Sequence, residues 1–301
     1  MRPRARRALA GLALVLVAGA ASAASFGFCD RAPAVPARQQ DRMFAFAAVV
    51  RAELEASDSA AVLVARSGLN LARFGQRYSH AGVSLRESAN GPWSVRQLYF
   101  ACDERLPRLY DQGMAGFVAG TEDPALAYVS IVLLPPAPAQ ALARRALDNE
   151  ASLRLLGAAY SANAYAFSER YQNCNQWVAE LLALAWGEPD DGGDARAAAQ
   201  RWLRQAGYAP SVFDASSLLL TLLRPFVPWV HVDDHPADDR AARRYQVSMP
   251  ASIEAFVQAS VPGAQRIELC RAGDRVVVHR GWDPVAEGCI AGGGDRVLEL
   301  D

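Results

Sequence analysis

Asn173-Cys174-Asn175-Gln176-Trp177-Val178-Ala179-Glu180-Leu181-Leu182 reads as the opening of a helix that packs by one side. Trp177, Val178, Leu181, Leu182 and Ala185 fall on a single face at helical spacing. Asn173 is a good N-cap, and Gln176 three residues on gives a polar pair resembling a capping box. Cys174 therefore sits in the first turn. There the free backbone N–H groups and the positive end of the helix dipole favour a thiolate, which predicts a lowered thiol pKa and a reactive sulfur. The same amides could stabilise an oxyanion formed when that sulfur attacks a carbonyl.

A thiol nucleophile benefits from a base, and His is the usual partner. The chain has 4 His. His80 lies in the strand-like run Tyr78-Ser79-His80-Ala81-Gly82-Val83, where Gly82, two residues on, leaves space on the same face. Tyr78 to Arg86 and Trp93 to Ala101 are joined by Asn90-Gly91-Pro92, a turn signature that predicts an antiparallel hairpin. On the second strand Gln97 shares a face with Val95 and Tyr99 and is the candidate to orient the imidazole. His279 is read as a surface or half-buried residue. The bland alternatives are a small buried hydrophobe for Cys174 and a hydrogen-bonded core histidine for His80.

Around these segments the pattern alternates helices and strands. Arg38 to Ser57 is an amphipathic helix, and Ala60 to Arg66 and Tyr128 to Leu134 are short apolar strands. Asp103 to Asp123 is polar and Gly-containing and reads as loop. Ala139 to Asn149, Ala195 to Gln205 and Ser216 to Leu223 read as helices, with a break at Glu188 to Asp194. Pro225 to Asp239 reads as a linker. Beyond it come strand candidates at Tyr245 to Ser248, Arg266 to Arg271 and Arg275 to Arg280, with a small helix near Ile253 to Gln258. The order predicts an α+β fold with a small C-terminal appendage over residues 225–301.

The amino end has the form of a secretory signal. Arg2, Arg4, Arg6 and Arg7 make a basic region, Leu9 to Val17 an apolar one, and Ala21-Ser22-Ala23 a small-residue cleavage site. Cleavage after Ala23 predicts a periplasmic or secreted protein. It shifts the formal charge from −1 to −5 by removing four Arg, and so argues against nucleic acid or anionic lipid as a broad electrostatic partner. No apolar run after the signal reaches spanning length, so no integral membrane segment is expected. The 5 cysteines leave one thiol over in an oxidising compartment. A local Cys270–Cys289 bridge and a Cys29–Cys102 bridge are the expected pairs, leaving Cys174. His231-Val232-Asp233-Asp234-His235 offers ligand-type side chains, but Pro228 and Pro236 argue against a helix that would align them, so a solvated linker is expected. No metal or cofactor site is predicted, and nothing specifies an oligomeric state.

A strand-borne His in "SHAGV", a polar residue on the next strand and a much later "NC" opening a helix together resemble the circularly permuted branch of the papain-like NlpC/P60 superfamily. More specifically, Phe28-Cys29-Asp30, Arg77-Tyr78-Ser79-His80-Ala81-Gly82 and Tyr171-Gln172-Asn173-Cys174-Asn175-Gln176-Trp177 resemble an uncharacterised bacterial family, DUF2145, over about residues 26–224. The resemblance implies a papain-like α+β core in residues 24–224, a nucleophile helix packed on an antiparallel sheet, Cys174 as nucleophile and His80 as base. Gln97 corresponds to the third polar position only by its place, since His is more usual there. Gln can orient an imidazole but cannot offset its charge.

These readings converge on an exported thiol hydrolase that cleaves an amide or ester through a Cys174 acyl-enzyme, with cell-wall peptide or another acyl or amide compound as substrate. Two alternatives stay open. A lipid acyltransferase of the same fold would use an apolar approach, for which Tyr160, Tyr165, Phe167 and Tyr171 are available. A binding module would carry a vestigial Cys-His pair.

Overall fold

The computed structural model describes residues 35–121, 123–187, 193–215 and 229–300. The proposed signal, Cys29, most of the expected break at 188–194 and the expected helix at 216–223 lie outside the described residues.

The fold is α+β, built on an eight-stranded antiparallel sheet. Its strands are β1 (Ala61–Arg66), β2 (His80–Leu85), β3 (Ser94–Ala101), β4 (Leu106–Gln112), β5 (Leu126–Leu133), β8 (Gln265–Ala272), β9 (Arg275–Arg280) and β10 (Arg296–Glu299), in the order β10-β9-β8-β5-β1-β2-β3-β4. The strands β6 (Ser211–Asp214) and β7 (Arg244–Val247) form a separate antiparallel pair. The expected hairpin is present, with Leu85 opposite Ser94 and Val83 opposite Arg96.

Strand alternation divides the core in two. Leu63, Ala65, Ala81, Val83, Leu85 and Leu98 face one side. There they meet helices α3 (Pro136–Leu147), α4 (Asn149–Arg154), α5 (Cys174–Trp186) and α6 (Ala195–Gln205), together with the helix Pro250–Ser260. Val62, Val64, Val95, Val129 and Ile131 face the other side, covered by α1 (Ala37–Glu55) and α2 (Met114–Val118). Helix α5 is buried along nearly its whole length, and Trp177 is fully enclosed. A helix buried on all sides belongs inside a layered fold rather than on its surface, and its polar residues Asn175, Gln176 and Glu180 are buried with it.

Three expectations are corrected. The segment expected to be an appendage instead continues the main sheet, because β8 pairs with β5 along its whole length, from Leu126 opposite Ala272 to Leu133 opposite Gln265. The Asp103 to Asp123 loop contains β4 and α2. As an edge strand β4 is half exposed, so it keeps polar residues and carries no apolar alternation. The expected linker holds helix Ala237–Ala242, and His235 is buried between the rings of Tyr165 and Tyr245 with Nε2 2.8 Å from the Asn163 carbonyl.

Cys270 and Cys289 form a disulfide with Cα atoms 5.6 Å apart. Cys102 is also disulfide-bonded. Cys174 is the free thiol among the described residues. No described helix is long and apolar enough to cross a membrane.

Candidate active site

Cys174 is the first residue of α5, and Asn173 caps that helix by accepting a hydrogen bond from the Gln176 N–H at 2.7 Å. The Asn173 amide also donates to the carbonyls of Ala162 and Ser248, at 3.3 and 3.2 Å, so the cap is fixed from both ends. The reciprocal half of a capping box is absent. The Gln176 side chain instead donates to Ser168 O and to the Glu180 carboxylate, at 3.1 and 3.2 Å.

The sulfur lies against the opening of β2. Its Sγ is 4.0 Å from the Ser79 carbonyl, and the neighbouring Asn175 amide donates to that same carbonyl at 3.2 Å. The backbone N–H groups of Cys174 and Asn175 and the Tyr160 hydroxyl favour the thiolate form of that sulfur. Tyr160 is itself held by stacking on Phe100, with ring centroids 5.0 Å apart.

The imidazole of His80 lies on the opposite face. Ala81 and Val83 point toward α5, so His80 and Gly82 point toward α2. There the His80 ring is 4.9 Å from that of Tyr99 and 6.1 Å from that of Phe117. Its Nε2 is 2.7 Å from Gln97 Oε1, and the Gln97 amide donates onward to Gln112 Oε1 at 2.8 Å. Gly82 is needed for this approach, since a Cβ there would run into Val95 and the Arg96 carbonyl. Thus His80 and Gln97 come together as the hairpin predicts, while among the described residues no hydrogen bond joins the imidazole to Cys174. The thiol and the imidazole meet the same Ser79–His80 peptide from different sides.

Both groups are neutral near pH 7. Burial pushes the Cys174 thiol up to about 11, against the lowering effects of Arg66, the Asn175 and Cys174 amides and Tyr160. The expectation of a depressed thiol pKa is therefore reversed: the helix end acts in the expected direction, but desolvation of a thiolate in a site only 8% exposed outweighs it. Burial, followed by Arg66, holds the His80 imidazole down to about 3, and the Gln97 hydrogen bond only partly opposes them.

One residue of this site escapes the sequence reading, and another is named there only as one of four aromatics. Arg66, the last residue of an apolar strand, turns its guanidinium to the Tyr99 hydroxyl at 3.1 Å and over the Phe117 ring. Tyr160 is one aromatic among several, and only the fold singles it out. The other aromatics of its segment pack elsewhere, Tyr171 flat on His231 at 4.5 Å and Phe167 edge-on to Tyr208 at 6.2 Å. His279 is half-buried and bonds Asp295 at 2.6 Å, away from this site. Among the described residues no group of three His, Cys, Asp or Glu could hold a metal ion.

The model of a family described as "Uncharacterized protein conserved in bacteria (DUF2145)" matches residues 53–257, more than half of the chain. The chain belongs to this family. The DUF2145 match takes in β1 through the helix Pro250–Ser260, and with them Arg66, His80, Gln97 and Cys174. Comparison with curated proteins and with solved structures finds no match.

Proposed function

We propose that the chain is an exported thiol hydrolase acting on an amide or ester, with a permuted papain-like core. The observation that carries this reading is the free Cys174 at the capped amino end of a buried helix, where the Cys174 and Asn175 amides favour negative charge on the sulfur. That is the arrangement acyl transfer needs, a nucleophile beside donors for the developing oxyanion. The packing of the Cys helix on the strand that bears His80, with His before Cys in the chain, supports the permuted papain-like assignment.

In the proposed reaction Sγ attacks the carbonyl carbon and the thiol proton passes to His80. The C–N or C–O bond then breaks as that proton is delivered to the leaving amine or alcohol. Water hydrolyses the thioester and restores the thiol. With both groups neutral at rest, a thiolate–imidazolium pair is not the starting state, and the imidazole must leave its Gln97-bound position to reach the sulfur. The signal-like amino end supports delivery outside the cytoplasm, where cell-wall peptide is an available substrate class.

The opposite-face placement of His80 favours a second reading, a binding module whose Cys and His do not act together. Purified mature protein assayed on activated acyl esters and on cell-wall peptide fragments separates the two. The hydrolase reading expects turnover that Cys174→Ser abolishes and His80→Ala lowers by about 10²-fold or more, the usual range for a general base. No turnover of either substrate class by the wild-type protein would leave the binding reading, and turnover unaffected by Cys174→Ser would overturn the role given to Cys174.

A further inference from the structure

The carboxylate of Glu268 on β8 is fully buried and holds two consecutive residues of the segment that leads into His80. Its Oε1 accepts from Arg77 Nη1 at 2.8 Å and from the Tyr78 hydroxyl. Its Oε2 accepts from the Val285 N–H at 2.8 Å and from Arg266 Nη1 at 3.2 Å. Each oxygen thus has two donors, one of each pair a guanidinium, and such charge-assisted bonds fix geometry more firmly than neutral ones. Alternation along β8 puts Glu268 on the same face as Cys270. Cys270, Tyr78 and Cys174 belong to one core cluster, on the side of the sheet that α5 covers.

What this clamp holds is the edge of the candidate site. Residues 67–79 connect β1 to β2 and return to the sheet through Arg77 and Tyr78. The next residue, Ser79, presents the carbonyl that accepts from the Asn175 side-chain amide at 3.2 Å and lies 4.0 Å from Cys174 Sγ, and His80 follows it. A route of bonded atoms therefore runs from Glu268 through Tyr78 to the peptide on which the opening of α5 rests. Among the described residues Glu268 makes no hydrogen bond to the sulfur or to the imidazole, so any effect on the chemistry passes through that peptide. Glu268 also lies beyond residues 53–257, the span of the family match.

We infer that Glu268 is a positioning residue of the proposed thiol reaction, which by fixing Arg77 and Tyr78 sets the Ser79–His80 peptide against the first turn of α5. The inference rests on Cys174 being the nucleophile, and it gives the strands after residue 257 a part in the site as well as in the core. A buried ion cluster remote from a reacting group only holds the fold. Here the clamped residues directly precede the carbonyl that borders the sulfur, and a displacement of about 1 Å in a reacting group can cost about 10²-fold in rate.

Steady-state kinetics of the purified protein on an activated acyl ester test this, under conditions in which circular dichroism shows each variant to be fully folded. Tyr78→Phe removes one bond to Glu268 and keeps the ring. It is expected to lower kcat about tenfold with KM within about twofold of wild type, the split that marks misplacement rather than lost binding. Glu268→Ala is expected to lower kcat by about 10²-fold, and Glu268→Gln, which keeps one acceptor oxygen, by less. Glu254→Gln is the control, since Glu254 pairs with Arg266 at 2.9 Å in the same cluster and makes no hydrogen bond to Arg77 or Tyr78 among the described residues. It is expected to lower the urea midpoint and to keep the wild-type kcat. Wild-type kcat in folded Tyr78→Phe and Glu268→Gln overturns the inference, and these variants decide it even if Glu268→Ala does not fold. So does a Glu254→Gln variant whose kcat falls as far as that of Tyr78→Phe, since the cluster would then act through packing alone. A wild-type protein without turnover fails the hydrolase reading itself, and the inference falls with it.

Discussion

His80 and Cys174 show how far burial moves a group from its behaviour in water. The imidazole titrates near 6.5 in the unfolded chain and at about 3 in the folded one. Between those values the unfolded state takes up a proton that the folded state refuses. The neutral ring's contribution to stability is therefore complete above about pH 6.5 and is lost as pH falls toward 3. His80→Gln removes that dependence. Its urea midpoint is expected to fall less steeply than that of the wild type between pH 6.5 and about 4, whereas parallel profiles would show that the ring is not buried neutral. For Cys174 the raised pKa of about 11 predicts an iodoacetamide rate that keeps climbing with pH through neutrality. A plateau extending to acid pH would mean a preformed thiolate–imidazolium pair, contrary to the structure.

Helix α5 links its chemistry to its packing through one buried network. Glu180, two turns into the helix, accepts hydrogen bonds from Gln172 at 2.6 Å, Arg196 at 3.0 Å, Gln200 at 2.7 Å and Gln176 at 3.2 Å. This anchors the segment before the helix, α6 and the first turn to one carboxylate. Glu180→Ala leaves Arg196 buried without its counter-charge and is expected to cost about 3–5 kcal/mol, measured by urea denaturation. A loss under 1 kcal/mol would show that the network does not hold the site. The elements legible in the sequence are those whose periodicity is set by burial, namely α1, β1, the β2–β3 hairpin, β5, β8, β9 and the helices α3, α5 and α6. Strand β4, with Pro107 and alternately exposed residues on a sheet edge, carries no such signal, and neither does the short edge strand β10. Within the site, Asn90-Gly91-Pro92 and Gly82 were enough to bring His80 and Gln97 together. The face on which the imidazole lies depends on which helices cover each side of the sheet, and local sequence does not encode that.

For the molecule as a whole, the eight strands form one unit whose order is not sequential. Strand β5 becomes an interior strand only once β8, some 130 residues later in the chain, covers its second edge. A chain ending at residue 224 would expose that edge along its length and strip Ile267, Leu269, Val276 and Val278 from the core under α1. Such a truncation is expected to be insoluble or non-cooperative in unfolding, and a cooperative transition by circular dichroism would show instead that residues 225–301 are a true appendage. Sheet, buried helix and helix cap all converge on one atom, Cys174 Sγ. Intact-mass spectrometry of the purified protein, quenched during incubation with an activated acyl ester, tests its proposed role as nucleophile most directly. A single added acyl group that maps to Cys174 and disappears in Cys174→Ser is the expected result. An unmodified protein, or an adduct that survives Cys174→Ser, contradicts it.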